Sequence, residues 1–187
     1  NLSVLACYLP LYKLIDQIPS IKNFKSTNKN FNKLLKVQVF EPLEEIKISK
    51  EIKKIGSITD YVSQKVRSQY EENPYPRWKY HSLFKESKSS ATVIINNNIK
   101  PNSIRSNLES KPLKILIAGC GTGIQIFEAQ RYRNAQVTAI DISCSSLSYA
   151  QRKINEIGIK NVNLFQMDIL EVALLKEKFD IIECCGV

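Results

Sequence analysis

The sequence predicts an α/β fold in which a parallel sheet follows a mostly helical N-terminal region. Two observations carry this prediction. From residue 114 onward, short apolar runs of strand length alternate with stretches of helical spacing, which is typical of strand–helix–strand units in a parallel sheet. Before residue 112, apolar residues are mixed with lysine and asparagine, and the clearest periodicity is helical.

The chain divides into three segments on this pattern. Residues 1–85 form a helical appendage, residues 86–112 a linker rich in serine and asparagine, and residues 113–187 the sheet domain. The length suits one domain with an appendage. Because the chain begins at Asn1 without an initiator methionine and stops directly after a strand pattern, we expect it to be a fragment of a longer protein.

The net charge of +9 lies in the first part of the chain. From Lys114 onward eight basic residues balance eight acidic ones, so the excess belongs to the first 111 residues. A basic appendage beside a neutral domain suggests, as an alternative function, a non-catalytic adapter or an RNA-binding or protein-binding module. Lysine far outnumbers arginine there, however, which is typical of an ordinary solvated surface. Nucleic acid is therefore an alternative partner that we do not favour.

The cysteine, histidine and hydropathy patterns argue against several further classes. No run approaches the ~20 apolar residues of a membrane span, and the apolar stretch at the N-terminus lacks the basic leader of a signal peptide. The five cysteines are odd in number without C-x-x-C spacing, and the single histidine, His81, has no ligand-like neighbours. We expect a reduced, cytoplasmic protein with no metal and no membrane partner.

A helix is predicted near the end of the appendage. Ser57 and Asp60 form a capping-box pattern. Apolar residues then follow at four-residue spacing, at positions 58, 62, 66 and 70, which predicts one apolar face. The helix should end before Pro74, because proline and the residue before it disfavour helix.

The segment of residues 69–78 after this helix is stiffened by two prolines. It presents Tyr75, Arg77 and Trp78 on an extended backbone. Such a segment can serve as a lid over a site. The alternative is a proline-rich turn whose Trp78 fills a gap in the core.

A glycine-rich turn follows the first strand of the sheet domain. Residues 114–118 are an apolar run, and Gly119, Gly121 and Gly123 stand before a helical stretch over residues 124–132. Glycine there lets the backbone take φ > 0 and lie directly against a ligand. The dinucleotide fingerprint G-x-G-x-x-G requires glycine or alanine where Ile124 stands, so an NAD(P)-binding oxidoreductase is a less favoured alternative.

Asp141 ends the second strand, residues 136–141. The two strands and the helix between them make a unit of about 30 residues. In a right-handed crossover, the Asp141 carboxylate would lie beside the glycine turn, where it can accept both hydroxyls of a ribose. The alternative is that Asp141 caps the helix beyond it, a role that Ser143 can also fill.

Two further strands complete the predicted sheet. Residues 162–166 form the third strand and are followed by Asp168, which the alternative interpretation makes the cap of a helix over residues 169–175. Residues 179–184 form the fourth. Cys184 and Cys185 have no cationic neighbour in sequence to lower a thiol pKa, so we do not expect a nucleophile there.

Together these motifs resemble class I S-adenosylmethionine-dependent methyltransferases, and in particular a bacterial group often fused to tetratricopeptide repeats. The residues that carry the resemblance are 38–42, 66–78, 115–123, 139–143, 146–153 and 179–187. The stretch Tyr-Glu-Glu-Asn-Pro-Tyr-Pro-Arg-Trp ending at Trp78 is its most distinctive part and favours the lid interpretation.

The resemblance implies the cofactor, the mechanism and the site. The cofactor would be S-adenosyl-L-methionine, and the methyl group would pass by in-line displacement to an unidentified acceptor. Asp168 would meet the adenine amino group beside the Ile169 backbone, and Cys185 would lie near the methionine portion. The implied cofactor-binding residues are Gly119, Cys120, Gly121, Gly123, Asp141, Ile142, Asp168, Ile169, Cys185, Arg77 and Tyr75; no catalytic residue is assigned.

The resemblance also implies a Rossmann-like half-sheet. The first four strands of this fold have the order 3-2-1-4, and the chain stops after the fourth, so we expect the fragment to be inactive alone. The sequence departs from the family at Ile117, where class I enzymes often carry an acidic residue that contacts the amino end of the cofactor. Arg77 or Tyr75 is the candidate to hold its carboxylate end, since a guanidinium fits a carboxylate in bidentate fashion.

Overall fold

The computed structural model describes residues 2–79, 88–105 and 111–187. His81 and the predicted boundary at residue 85 lie outside the described residues. The chain forms two compact units, residues 1–51 and residues 52–187. The second unit thus takes in residues that the sequence assigns to the appendage and the linker.

The first unit consists of helical segments around a small apolar core. Its α-helices are α1 (Leu2–Leu5), α2 (Lys29–Leu35) and α3 (Glu41–Ser49), joined by 3-10 turns at Leu11–Leu14 and Pro19–Asn23 and a π turn at Lys36–Phe40. Helix α2 begins at Asn28, whose side chain accepts hydrogen bonds from two backbone N–H groups. The core residues are Leu11, Ile15, Ile21, Leu35 and Val39.

The second unit contains a parallel sheet of five strands. They are β1 (Lys53–Lys54), β2 (Leu113–Ala118), β3 (Ala135–Asp141), β4 (Val162–Gln166) and β5 (Ile181–Glu183). The sheet has the order β1-β4-β3-β2-β5. Strands β2 to β5 are the four predicted from the sequence, and among themselves they lie in the order 3-2-1-4. The carboxyl ends of β2, β3 and β4 meet at one edge of the sheet.

The prediction of a four-stranded half-sheet misses β1. This strand pairs with β4, with Lys53 opposite Phe165 and Lys54 opposite Gln166, and the Ile55 N–H extends the pairing by donating to the Gln166 carbonyl over 3.0 Å. Two exposed lysines carry no apolar alternation, so sequence periodicity does not indicate a strand. Lysine on an edge strand discourages pairing with another chain.

The helices of the second unit are α4 (Tyr61–Glu72), α5 (Ala91–Asn98), α6 (Ile124–Glu128) and α7 (Cys144–Ile157). There are also 3-10 turns at Ala129–Arg131 and Ile169–Leu175. On one face of the sheet, α6 and α7 cover a core that includes Ile115, Phe127 and Leu147. A second cluster covers the other face, with Leu116, Ile140 and Met167 at its centre.

Helix α4 begins later than the sequence predicts. Asp60 is its N-cap, and the Asp60 carboxylate accepts a hydrogen bond of 2.9 Å from the Ser63 N–H. The predicted cap, Ser57, instead donates its backbone N–H to the Glu171 carboxylate over 2.7 Å. The capping-box pattern was misleading because this long-range bond holds Ser57 before the helix.

The N-cap assignment predicts unequal effects of two substitutions. Asp60→Ala should lower the free energy of unfolding by about 1 kcal/mol, since it removes an N-cap carboxylate. Ser57→Ala should change it by less than about 0.5 kcal/mol, because the bond that Ser57 makes comes from its backbone. Urea unfolding of the two variants measures both values, and a larger loss for Ser57→Ala would contradict the assignment.

Candidate functional site

The glycine loop, residues 119–123, joins β2 to α6 and has a left-handed backbone at alternate positions. Gly121 has φ +50° and Gly123 has φ +92°. A Cβ on Gly121 would meet open space, whereas one on Gly123 would lie 2.9 Å from the Ala150 Cβ. The backbone of Gly121 is therefore open to a ligand, while the lack of a side chain at Gly123 lets the start of α6 pack closely on α7.

Asp141 ends β3 with its carboxylate against this loop. One carboxylate oxygen accepts a hydrogen bond of 2.8 Å from the Gly121 N–H, and the other accepts one of 2.8 Å from the Ser143 N–H. Each oxygen can accept a further hydrogen bond. The cap of α7 is Ser143, whose hydroxyl oxygen accepts from the Ser146 N–H over 3.0 Å, so the Asp141 carboxylate holds the loop and can also face a ligand.

The environment of Asp141 raises the pKa of its carboxyl. Burial raises the pKa of its carboxyl above the usual value, and the charge of Glu71 raises it further, while the hydrogen bonds from Ser143 and Gly121 lower it. Burial disfavours the charged form because water no longer solvates it. Asp141 thus keeps a carboxylate at the sheet edge at some energetic cost.

A cavity of about 640 Å³ lies at this edge of the sheet. Its walls are the glycine loop, the ends of β3 and β4, one face of α4, residues 75–76 and residues 185–187. Among the described residues that line it, Asp141 and Asp168 are acidic and none is basic. The cavity is therefore acidic as well as partly apolar.

Nine of the eleven predicted cofactor-binding residues line this cavity, namely Gly119, Cys120, Gly121, Asp141, Ile142, Asp168, Ile169, Cys185 and Tyr75. The other two do not line it. Gly123 packs on Ala150 instead, and the Arg77 guanidinium carbon lies 4.7 Å from the centroid of the Tyr149 ring. Arg77 packs on this ring because an aromatic face attracts a cation.

Asp168 both caps the 3-10 turn at Ile169–Leu175 and lines the cavity, the two roles that the sequence leaves open. It is 2% exposed and its carboxylate accepts a hydrogen bond of 3.0 Å from the Leu170 N–H, which caps the 3-10 turn. Asp168 also lines the cavity beside Met167 and Ile169. Capping therefore does not remove this carboxylate from the site.

The proline-rich segment docks on the glycine loop through Thr122. The Trp78 Nε1–H donates to the Thr122 carbonyl over 3.0 Å, and the Thr122 hydroxyl donates to the Pro76 carbonyl over 2.7 Å. The Trp78 ring packs edge-to-face on Phe127, with 4.7 Å between centroids. Trp78 thus fills the core while its neighbour Tyr75, 74% exposed, stands at the cavity.

Helix α7 holds the same segment from the other side. The Tyr149 hydroxyl donates to the Trp78 carbonyl. Lys153 donates to the Lys79 carbonyl over 3.2 Å, and its ammonium lies 4.9 Å from the centroid of the Trp78 ring. The backbone of the segment is thereby fixed by contacts with two elements that are distant in sequence.

Glu71, at the end of α4, is a site residue that sequence analysis missed. Its carboxylate accepts hydrogen bonds from the Ser145 N–H (2.7 Å) and the Ser143 hydroxyl (3.2 Å) at the start of α7. These partners are more than 70 residues away in the chain, and no local pattern indicates a cap supplied by another helix. The wall that α4 gives to the cavity is signalled only by the four-residue spacing of its apolar residues.

The thiol of Cys120 at the cavity is buried and is not activated as a nucleophile. Cys120 is 2% exposed, and burial raises the pKa of its thiol well above the usual value, with the Asp141 charge adding to this effect. A thiol of raised pKa is a poor nucleophile at neutral pH. Within the described ranges, no three His, Cys, Asp or Glu side chains are grouped as metal ligands.

A parallel sheet with a glycine loop after one strand and a carboxylate at the end of the neighbouring strand is the arrangement of a Rossmann-like fold. Comparison with known proteins finds a similarity in this part of the chain. Residues 109–187 match the family model of a methyltransferase domain, a range that includes the glycine loop, Asp141 and Asp168.

Individual proteins are similar to parts of this chain. An uncharacterised protein of Synechococcus sp. is 29% identical over 148 residues, which are 71% of this chain and 32% of that protein. The malonyl-(acyl-carrier protein) O-methyltransferase of Acetivibrio thermocellus is 40% identical over 78 residues, 41% of this chain and 26% of that enzyme. A solved structure of PKMT2 from Rickettsia typhi in complex with AdoHcy is 33% identical, covering 41% of this chain and 15% of that chain, with a TM-score of 0.37. The chain spans about a third or less of the length of these relatives.

In the part of the chain that the structure describes, no helix has the length and apolar character needed to cross a membrane.

The electrostatic link between Glu71 and Asp141 predicts a pKa change. Glu71→Gln should lower the pKa of Asp141, because it removes the like charge but keeps an acceptor for the Ser145 N–H. Folding raises the pKa of Asp141, so the stability that its protonated carboxyl contributes is present at low pH and is lost as the pH rises through the folded-state pKa. Glu71→Gln should lose less stability over this pH range than wild type. A pH titration of the Asp141 carboxyl carbon by NMR measures the shift, with the exposed Glu72→Gln as the control. Equal Asp141 titrations in Glu71→Gln and wild type would disprove the link.

The docking of the proline-rich segment predicts a role for the indole N–H. Trp78→Phe keeps an aromatic ring on Phe127 but leaves the Thr122 carbonyl without its donor, so the free energy of unfolding should fall by about 1–2 kcal/mol. Tyr75→Phe, an aromatic change at an exposed position of the same segment, should stay within about 0.5 kcal/mol of wild type. Denaturant unfolding compares the two, and similar values for both would show that the docking bond is energetically unimportant.

Proposed function

We propose that this chain is the cofactor-binding part of a class I S-adenosylmethionine-dependent methyltransferase. The observation that supports it most is the Asp141 carboxylate, held 2.8 Å from the Gly121 N–H at an acidic cavity. A carboxylate beside a bare backbone turn suits a ribose and the chain that extends from it. The match of residues 109–187 to a methyltransferase domain supports the same conclusion.

The charge of the cavity favours S-adenosyl-L-methionine over a dinucleotide. This cofactor carries a sulfonium and an ammonium group against one carboxylate, so its net charge is positive. NAD(P) carries phosphate anions, which proteins hold with arginine, lysine or helix N-termini. The described lining offers two carboxylates and no basic side chain, which suits the cationic ligand.

Within this proposal the lining residues divide by position. Asp141 holds the ribose hydroxyls, with Ile142 against the nucleoside. Asp168 and the Ile169 backbone hold the adenine edge, and the glycine loop with Cys120 and Cys185 lies along the methionine portion. Tyr75 covers the mouth of the cavity. Arg77 is left out, because its guanidinium stacks on Tyr149.

The chemistry follows from positioning. When bound, S-adenosyl-L-methionine supplies an electrophilic methyl group, so the protein needs mainly to align it with the acceptor. Orientation of this kind contributes effective molarities of ~10⁵ M or more. The role of this chain is to fix the nucleoside end between two carboxylates while the rigid glycine loop directs the rest of the cofactor. Held in this way, the cofactor would present its methyl group for in-line displacement, with S-adenosylhomocysteine as the leaving group.

The remaining parts of the proposal concern the whole protein. By the resemblance set out above, we propose tetratricopeptide repeats elsewhere in it and a cytoplasmic location. We also propose that residues outside this chain bind the acceptor, so that the 187-residue chain alone does not turn over.

Calorimetry with S-adenosylhomocysteine on the full-length protein tests the proposed function. We expect saturable binding, and Asp141→Asn should weaken it about 10²-fold, since hydrogen bonds to a charged group contribute about 1.5–3 kcal/mol each. Asp180→Asn is the matched control. The Asp180 carboxylate also accepts a hydrogen bond from a backbone N–H, that of Lys114 over 3.0 Å, but at the opposite end of β2. The Asp180→Asn variant should bind S-adenosylhomocysteine with wild-type affinity.

The outcome also separates the alternatives. Binding of NAD(P) in place of S-adenosylhomocysteine would indicate an oxidoreductase. Binding of neither would indicate a non-catalytic adapter, and either result would refute the proposed function.

A further inference from the structure

Two buried serines in α7 differ in what their hydroxyl groups contact. Ser146 and Ser148 are each 1% exposed. The Ser148 hydroxyl donates to the Cys144 carbonyl over 2.7 Å. The Ser146 Oγ is buried and has no hydrogen-bond partner among the described residues. A buried hydroxyl without a partner has lost its bonds to water without replacement, which destabilises the chain.

Ser146 is distinguished further by its place at the cavity. Three buried side-chain atoms lack a partner in the described part of the chain, on Arg131, Ser146 and Gln166. Of these three residues, Ser146 is the one that lines the cavity. An unsatisfied polar group at a ligand cavity is explained if the ligand supplies its partner.

The hydrogen bonds around Ser146 show which end of the cavity it belongs to. Its N–H donates to the Ser143 hydroxyl oxygen over 3.0 Å, and the Ser143 N–H donates to the Asp141 carboxylate over 2.8 Å. Ser146 therefore lies in the first turn of α7, directly beyond the carboxylate that we assign to the ribose. This is the nucleoside end of the cavity.

We propose that the Ser146 hydroxyl forms a hydrogen bond with the nucleoside of the bound cofactor and helps to select it. The inference rests on the proposed function and deepens it. This hydroxyl is buried without a partner among the described residues, and a bound nucleoside would supply one. A site with such a group discriminates against ligands that leave it unpaired.

Gln166 supplies the competing explanation. Its Nε2 donates to the Ile142 carbonyl over 2.9 Å, while its Oε1 is buried without a partner among the described residues. An ordered water that joined Ser146 to Gln166 would satisfy both groups with no ligand. In that case removal of the Ser146 hydroxyl would leave cofactor affinity unchanged.

The test compares Ser146→Ala with Ser148→Ala in the full-length protein. Calorimetry gives the affinities for S-adenosylhomocysteine and for 5′-methylthioadenosine, which has the nucleoside but lacks the amino-acid portion. Thermal unfolding without ligand gives the stability. Because both variants replace a buried serine of one helix with alanine, the change in helix propensity cancels between them.

We expect the two variants to differ in opposite directions. Ser146→Ala should bind both ligands about tenfold more weakly, while its unliganded Tm is unchanged or higher by roughly 2–4 °C. Ser148→Ala should keep wild-type affinities and lose roughly 2–4 °C, because it breaks a satisfied bond. A purely structural role for Ser146 would not separate affinity from stability in this way.

Three results would overturn the inference and leave the proposed function intact. Wild-type affinity in Ser146→Ala would assign the hydroxyl to a water. Weaker binding of S-adenosylhomocysteine alone would place the contact on the amino-acid portion, and a Tm loss equal to that of Ser148→Ala would indicate a structural role. Failure of the wild-type protein to bind either ligand would refute the proposed function itself, and the inference with it.

Discussion

The hydrogen bond between the Gly121 N–H and the Asp141 carboxylate joins the ends of two neighbouring parallel strands. It needs a left-handed glycine at the turn after β2 and a carboxylate as the last residue of β3. Parallel pairing of β2 with β3, with Ala118 opposite Ile140, brings the two positions together. The shape of the cavity follows from this arrangement, because the same carboxylate and the same bare backbone form its floor.

The outer wall of the cavity depends on contacts that are distant in sequence. Glu71 fixes the end of α4 to the start of α7, and Trp78 fixes the proline-rich segment to Thr122 of the glycine loop. Both contacts end on elements that also carry lining residues. The proline-rich segment is thus joined to the glycine loop by two hydrogen bonds, from the Trp78 indole to the Thr122 carbonyl and from the Thr122 hydroxyl to the Pro76 carbonyl.

The sequence predicts the sheet well because its strands are short apolar runs separated by glycine and capped helices. The order of β2 to β5 and nine of the lining residues follow from the resemblance and from right-handed crossovers. What the sequence does not reveal depends on long-range partners: the pairing of β1 with β4, the bond that keeps Ser57 out of α4, and the cap that Glu71 gives to α7. The chemistry of Arg77 suits a carboxylate and so places it in the predicted site, whereas in the structure its guanidinium packs on the face of Tyr149. Propensity and motif spacing describe a residue's own segment, and these contacts are made between segments.

The cavity carries energetic costs that a packed core would avoid. Burial and the charge of Glu71 raise the pKa of Asp141, and the Ser146 hydroxyl is buried without a partner among the described residues. A sequence selected only for stability would replace such groups, since buried polar atoms without partners destabilise a fold. Both groups lie at one end of the same cavity. The hydroxyls of a ribose would donate to the carboxylate and favour its charged form, and the nucleoside would give the serine its partner. One ligand would thus relieve two independent costs, which is why their coincidence at this edge of the sheet argues for a nucleoside.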